Sequence, residues 1–280
     1  MSQSYNSTVA EFRVLGNPIK HSQSPVIHRA FAVATGKQLN YTAQQVNEVD
    51  FETVVNDFFA AGGKGLNITA PFKQHAHNMS LHVQPAAYFA GAANTLWQKN
   101  GQLVADNTDG IGLVRDICQN LGGVLKGSRI LMLGAGGAVR GVLQSLLQQK
   151  PAQLVIANRT HQKAQQLAYK FAKLGPVTAC KLDCLKTPFD WIINATTASL
   201  MGKLPDIPQA LINHQTHCYD MMYGTGTTVF NRWALKWGAA TTTDGLGMLV
   251  EQAAAAFYLW YCIQPETSQV LLDLRLQLGS

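Results

Sequence analysis

The stretch "RILMLGAGGAVRGVLQSLLQQ" beginning at Arg129 constrains this chain more than any other. An apolar run with no alternating polar residues passes straight into glycines and then into helical spacing. Such a run suits a strand of a parallel sheet covered on both faces. In the turn Gly134-Ala135-Gly136-Gly137-Ala138, Gly134 permits a tight bend and Gly136 lets the backbone approach a pyrophosphate. The first amides and the dipole of the following helix favour that negative charge. In strict G-x-G-x-x-G register the third glycine falls at Val139, so a glycine turn that only packs a helix on a strand also fits.

The end of the next apolar strand separates the cofactors. A fold that takes NAD places Asp or Glu roughly 20 residues beyond the glycines, on the ribose 2′-hydroxyl. Here that place holds Asn158-Arg159-Thr160, with Lys163 one turn on. A carboxylate repels a 2′-phosphate, whereas a guanidinium clamps it bidentately. The pattern therefore argues for NADP.

Strand and helix patterns alternate along the rest of the chain. "FRVLG", "NYTAQQV" and "KGLNIT" read as strands, and "DFETVVNDFFAAG" as a helix. "SPVIHRAFAVATG" reads as a helix with Ser24 at its N-cap, Pro25 at its first position and Gly36 at its stop. "ANTLWQKNGQLVADNTD" reads as a hairpin turning at Asn100-Gly101, followed by helical spacing in "GIGLVRDICQNLGG". Beyond the glycine turn, "AQLVIANRT", "PVTACKL", "DWIINATT" and "HCYDMMY" read as further strands. The run "AAAAFYLWYCI" from Ala253 is too short to span a bilayer and reads as a buried helix.

At 280 residues the chain has room for two domains. The expected boundaries are residues 1–109, 110–245 and a helical segment, 246–280, returning to the first domain. A net charge of +6 suits a small anionic partner, but no stretch alternates basic with aromatic residues, so nucleic acid is not expected. The opening "MSQSYNSTVAEFR" lacks a basic segment followed by an apolar one, and no signal peptide is expected. The five cysteines, at 118, 180, 184, 218 and 262, contain no Cys-x-x-Cys pair and read as thiols in a reducing cytoplasm. His75, His77 and His82 have no carboxylate at close spacing and read as surface or packing residues, so no metal is expected.

Seven short strings complete the pattern. "HSQSP", "NITAPFK", "GAANT" and "DNTDG" lie in order through the first half, followed by "GAGGA", "NRT" and "DGLGMLVEQ". Together they resemble the shikimate dehydrogenase family over nearly the whole chain. The resemblance implies an α/β fold of two domains, an N-terminal α/β substrate-binding domain and a C-terminal Rossmann-type doubly wound domain, with the cleft between them. It implies reduction of the 3-keto group of 3-dehydroshikimate by NADPH, reversibly, in a monomer or homodimer that needs neither metal nor membrane.

Carried over motif by motif, Ser22 and Ser24 would bind the substrate carboxylate, with Tyr223 beside them. Thr69, Asn94, Asp109 and Gln252 would meet the ring hydroxyls. Lys73 and Asp109 would be the catalytic pair, and Thr196, Met221, Gly245 and Met248 would join the glycine turn and "NRT" on the cofactor. The residue types suit the chemistry. Hydride delivery to a ketone leaves an alkoxide, which needs a cation and a proton donor, and a lysine is both. Asp109 would orient it. A polyhydroxylated acid otherwise asks for neutral hydrogen-bonding groups, because a site that bonds each hydroxyl rejects analogues lacking it.

In "NITAPFK", Pro71 would fix the exit from a strand and aim Lys73 at the reacting oxygen; read alone, the string also fits a proline-started helix with a solvated lysine. Asp106 rivals Asp109, and the order within "DNTDG" favours Asp109. Thr228-Val229-Phe230 stands where the family often has Thr-Pro-Phe, which predicts a looser loop there, and "NATT" replaces the usual "NATS". A quinate/shikimate dehydrogenase preferring NAD fits less well, given Arg159 and Ser24 in place of the Thr often found in quinate users. A non-catalytic NADP-binding sensor would have no need of Lys73 and Asp109.

Overall fold

The computed structural model describes residues 9–196, 198, 202–204 and 207–279. Residues 1–8, where part of the amino-terminal reading falls, lie outside the described set. The chain divides into two compact units, one of residues 1–107 and 253–270, the other of residues 108–252 and 271–280.

In the first unit the order is β1 (Ala10–Gly16), α1 (Ser24–Thr35), β2 (Leu39–Gln45), α2 (Phe51–Ala60), β3 (Gly65–Ile68), α3 (Lys73–Met79), β4 (His82–Val83), α4 (Pro85–Ala90), β5 (Thr95–Lys99) and β6 (Gln102–Asp106). These strands form one mixed six-stranded sheet in the order β2-β1-β3-β5-β6-β4. β1 pairs in parallel with β2 and β3, and β5 runs antiparallel to β3 and β6. The β5–β6 hairpin turns at Asn100-Gly101, both at positive φ, as the Asn-Gly signal predicts. Leu15, Val55, Leu66, Phe72 and Leu96 are fully buried in one core. Each such side chain contributes about 1.5–3 kcal/mol by leaving water.

The start of α1 differs from expectation. Ser24 is its first residue, Gln23 takes the cap position, and no side chain caps the end. The Ser22 hydroxyl instead accepts from the Ser24 amide at 3.3 Å, and Ser24 itself is buried. Gly36 ends the helix in the left-handed region, as predicted.

The second unit contains α5 (Asp109–Arg115), β7 (Arg129–Leu133), α6 (Gly137–Gln148), β8 (Gln153–Ala157), α7 (His161–Phe171), β9 (Val177–Cys180), β10 (Trp191–Asn194), β11 (His217–Asp220), α8 (Val229–Lys236) and β12 (Thr241–Thr243). Helix α9 (Leu246–Tyr261) supplies residues to both units, and α10 (Ser268–Leu278) follows it. The sheet is entirely parallel, ordered β12-β11-β10-β7-β8-β9. That is the doubly wound order, whose direction of winding reverses between β7 and β10. Ile130, Leu131, Met132, Ile192 and Ile193 are all fully buried, which explains strands that lack alternation.

Several elements escaped the sequence reading. β4 and β12 are two and three residues long, too short to show a period. The helical spacing after Asp109 is interrupted, because residues Asp116–Asn120 form a π-helical turn. That turn directs the buried Asp116 carboxylate to the Tyr219 hydroxyl, which donates at 2.6 Å, and to the Asn120 amide at 2.9 Å. Thr228 caps α8 by accepting from the Asn231 amide at 3.2 Å, so a side-chain cap stands where a looser loop was expected. Among the described residues no helix is long and apolar enough to cross a membrane, and no three His, Cys, Asp or Glu side chains could hold a metal ion.

One buried group ties the first unit's stability to pH. His28 is fully buried among Tyr41, stacked at 4.3 Å, Phe31, Phe257 and Trp260. Burial lowers its pKa from 6.5 to about 3, against a smaller opposing effect of the Asn67 side chain. The unfolded chain protonates first, so stability is complete above the ordinary value and falls as pH drops through the window towards the folded value, by up to about 1.4 kcal/mol per pH unit. His28→Phe should flatten the pH dependence of the urea midpoint between about pH 7 and pH 4. An unchanged slope would place the acid sensitivity elsewhere.

Candidate active site

In the first unit, the candidate substrate residues gather at the carboxyl ends of β1 and β3. The loops leaving these strands are tied together: the Thr69 amide donates to Leu15 O at 2.9 Å and the Asn17 amide to Ala70 O at 3.0 Å. β3 stops at Ile68, the chain turns through Pro71, and Lys73 is the first residue of α3. "NITAPFK" is thus both a strand exit and a helix start, and Lys73 is half-buried where the solvated-lysine reading puts it in water. The Lys73 carbonyl accepts from the Ala93 amide at 2.8 Å, which anchors α3 next to the "GAANT" segment.

Beneath these residues runs a buried polar chain that sequence reasoning missed. The Ser24 side chain lies beside the Tyr41 phenol and opposes the effect of burial on its pKa, and the Tyr41 hydroxyl donates to Asn67 Oδ1 at 2.7 Å. Asn67 Nδ2 donates to Asn94 O at 3.1 Å and to Thr95 Oγ1 at 3.2 Å, and Thr95 Oγ1 donates to Asn94 Oδ1 at 2.9 Å. Burial raises the Tyr41 pKa well above its ordinary value, so the phenol remains a donor. The chain joins Tyr41, beside Ser24, to Asn94 through side chains that were not singled out. Asn67 lay in plain view inside "NITAPFK", but only its burial and three partners reveal its part.

In the second unit, Asp109 opens α5 and Gln252 lies on α9. Gly112 lets the two helices approach so closely that a Cβ there would lie 2.7 Å from Gln252 Cβ and 2.8 Å from its backbone nitrogen. The Gln252 amide is held at both ends: Nε2 donates to Leu249 O at 2.9 Å, and Oε1 accepts from Thr108 Oγ1 at 3.4 Å. The fold thus brings Gln252 to the residue preceding Asp109. The rival, Asp106, has its Oδ1 engaged by the Asn107 amide at 2.7 Å, and burial raises its pKa against that bond. Tyr223 is half-buried beyond β11, and burial raises its pKa as well.

The cofactor candidates collect at the reversal point of the parallel sheet. Gly134 has φ +111, open to glycine but strained for other residues, and its amide donates to Ala157 O at the end of β8, 2.8 Å away. A Cβ at Gly134 would come within 3.4 Å of Ala195 O and 3.5 Å of Thr196 Cγ2, so the turn faces the segment leaving β10. Gly136 caps α6, with open space where its Cβ would be. Ala135, Gly137 and Ala138 complete the entry to α6. This is a bare backbone cradle at a helix amino terminus, which fits a pyrophosphate.

Past Ala157, Asn158 Nδ2 donates to Thr160 O at 2.9 Å and closes the loop from which Arg159 projects. Arg159, Thr160 and Lys163 are exposed, with Thr160 at the cap of α7. Two cations next to the glycine turn, with no acidic residue in the loop, fit a 2′-phosphate. Met221, Gly245 and Met248 lie at the end of β11 and the start of α9, and Gly245 and Met248 are buried. The histidines set aside as surface or packing residues are occupied locally: His75 lies 4.0 Å from Glu48 and against Phe51 and Phe72, His77 bonds to Asn78 at 3.0 Å, and His82 bonds to Gln102.

A doubly wound parallel sheet carrying a glycine cradle defines a dinucleotide-binding protein of the Rossmann class. Residues 14–96 match the model of the shikimate dehydrogenase substrate-binding domain, and residues 116–202 that of shikimate / quinate 5-dehydrogenase. A shikimate dehydrogenase (NADP(+)) of Cellvibrio japonicus is 55% identical over 269 residues, 95% of this chain and 97% of that one. The crystal structure of an Ael1 enzyme from Pseudomonas putida superposes with a TM-score of 0.91 at 44% identity, covering 95% of this chain and 98% of the other. Shikimate 5-dehydrogenase from Thermus thermophilus, in complex with NADP(H) and shikimate, gives a TM-score of 0.86 at 30% identity, covering 96% and 99%. The chain belongs to the shikimate dehydrogenase family.

Arg159→Ala should weaken binding of NADPH by about tenfold or more, the worth of a bidentate charge-assisted contact, while NADH binding changes little. Fluorescence titration of the two reduced dinucleotides checks this, and an equal loss for both would remove Arg159 from the 2′-phosphate.

Proposed function

We propose that the protein catalyses the reversible NADP(H)-dependent reduction of 3-dehydroshikimate to shikimate in the shikimate pathway. The observation that carries this reading is the chain-long 55% identity to a shikimate dehydrogenase (NADP(+)). Arg159 in the loop after β8 supports NADP over NAD. When bound, NADPH supplies the hydride.

The chain's own residues do the rest. Lys73 neutralises the oxyanion that develops at the reacting carbonyl and gives it a proton, so that the ketone becomes a secondary alcohol. Asp109, the other member of the catalytic pair, is the orienting carboxylate. Ser22, Ser24 and Tyr223 take the carboxylate of the substrate, and Thr69, Asn94 and Gln252 take its hydroxyls. The buried chain from Tyr41 through Asn67 to Asn94 supports this assignment, because it fixes the orientation of the hydroxyl-binding Asn94 and runs up to the carboxylate-binding Ser24, which lies beside Tyr41. All roles fall within one chain, so the reading holds for a monomer or a homodimer. Five free cysteines support a reducing, cytoplasmic setting.

The direct test is shikimate-dependent reduction of NADP and of NAD by the purified protein, with quinate as the parallel substrate. Turnover of shikimate with NADP is expected; no turnover with any combination, despite NADP binding, would favour a sensor. Lys73→Ala should lower kcat by about two to four orders of magnitude and leave NADPH affinity intact. An active variant would exclude Lys73 as the proton donor. Tyr41→Phe removes one hydroxyl from the buried chain and should raise the KM for shikimate about fivefold to tenfold, with NADPH affinity unchanged. A parallel loss of cofactor affinity would show that Tyr41 acts through general stability.

A further inference from the structure

Two fully buried polar side chains lie next to the dinucleotide cradle without belonging to the roles assigned above. Asn194 ends β10 and Asp220 ends β11, paired in register across the parallel ladder, and neither is exposed to solvent. Asn194 Nδ2 donates to Asp220 Oδ1 at 3.0 Å. Asn194 Oδ1 accepts from the Thr196 hydroxyl at 2.8 Å and the Thr196 amide at 3.2 Å. The Asn194 carbonyl accepts from the Met221 amide at 2.8 Å, and Asp220 Oδ1 also accepts from the Met222 amide at 3.2 Å. The Met222 carbonyl in turn accepts from the Gly245 amide at 3.1 Å.

Two segments therefore meet on one amide and one carboxylate, the exit from β10 through Thr196 and the exit from β11 through Met222. Backbone bonds extend this to Met221 and, from the Met222 carbonyl, to Gly245 at the entry to α9. Burying a carboxylate is costly unless its acceptors are satisfied, and a sheet needs no such group to hold its strands together. The observed use of this pair is to fix the loops that follow the strands.

We propose that Asn194 and Asp220 are positioning residues for the dinucleotide, setting the Thr196, Met221 and Gly245 segments in the arrangement that receives it. The proposal rests on the NADP(H) reading given above. The bonds have a direction: in the wild type residue 194 donates to residue 220 and accepts from Thr196, while residue 220 only accepts. Asn194→Asp sets two carboxylates against each other and removes the donor. The exchanged pair N194D/D220N restores a donor and an acceptor between the two strands: its amide, now on β11, donates to the carboxylate on β10, and that carboxylate still accepts from Thr196. The Met222 amide, which shares Asp220 Oδ1 with Asn194 in the wild type, loses that acceptor.

The test is a fluorescence titration with NADPH of wild type, N194D and N194D/D220N, together with the thermal midpoint of each cofactor-free protein. N194D should bind NADPH about tenfold or more weakly while folded, and the exchanged pair should return to within about threefold of wild type. Wild-type affinity in N194D, or an exchanged pair that folds without recovering affinity, overturns the proposal. So does a loss of binding that matches the fraction of unfolded protein. Should N194D not fold, the exchanged pair decides alone: wild-type affinity supports the proposal, and a folded protein that does not bind overturns it. Wild type that binds NADPH but turns over no shikimate contradicts the substrate assignment and leaves the pair intact; wild type that does not bind NADPH sinks both.

Discussion

A polar side chain buried at the end of a strand must find all its partners inside the protein, and much of the arrangement in both units depends on that requirement. Asn67 in β3 and Asn194 in β10 meet it in parallel ways. Each is buried and donates to a neighbouring strand. Asn67 accepts from Tyr41 two strands away and Asn194 accepts from Thr196 in its own strand's exit, so that in each case one bond reaches a segment that carries a candidate site residue. An apolar residue of similar size would pack as well but would hold nothing in orientation. The cores of β3 and β10 bring these asparagines to the carboxyl ends of their sheets, where a doubly wound fold places its ligands. The asparagines then set the directions of the groups around them.

The division of labour within the second unit follows from the same geometry. Continuous apolar strands bury the sheet on both faces, so functional groups can stand only at its ends. Gly134 turns the backbone at one such end, and the loop after β8 presents Arg159 at the next, the two joined by the bond from the Gly134 amide to Ala157 O. Asp109 and Gln252 use a different device. Two helices approach to within the thickness of a glycine, and the Gln252 amide is held from the residue preceding Asp109. Backbone cradles, exposed cations and a clamped amide are different solutions, and each suits the charge and mobility of the group it meets.

Much of this was legible from residues adjacent in the chain. Strand–glycine–helix order, the Asn-Gly hairpin and the Arg159 loop are local patterns, and all three stand where they were read. Local reading failed where a residue's surroundings come from elsewhere. Ser24 looks like a helix cap because Pro25 follows it, yet it is the first helical residue and its side chain lies beside Tyr41, which no local rule foresees. The π-helical turn at Asp116 is likewise invisible in its own spacing, because Tyr219, 103 residues away, is one of the partners its carboxylate meets.

By itself the sequence determined the class of fold, the family and the phosphate chemistry of the cofactor, because periodicity, a glycine turn and a basic loop act over a few residues. Tertiary structure decided which side chains are fixed and by what. Tyr41 meets Asn67 across 26 residues, and Asn194 meets Asp220 across 26. Their roles come from burial, which leaves each polar atom only the partner that folding delivers, and no string of neighbouring letters records that partner.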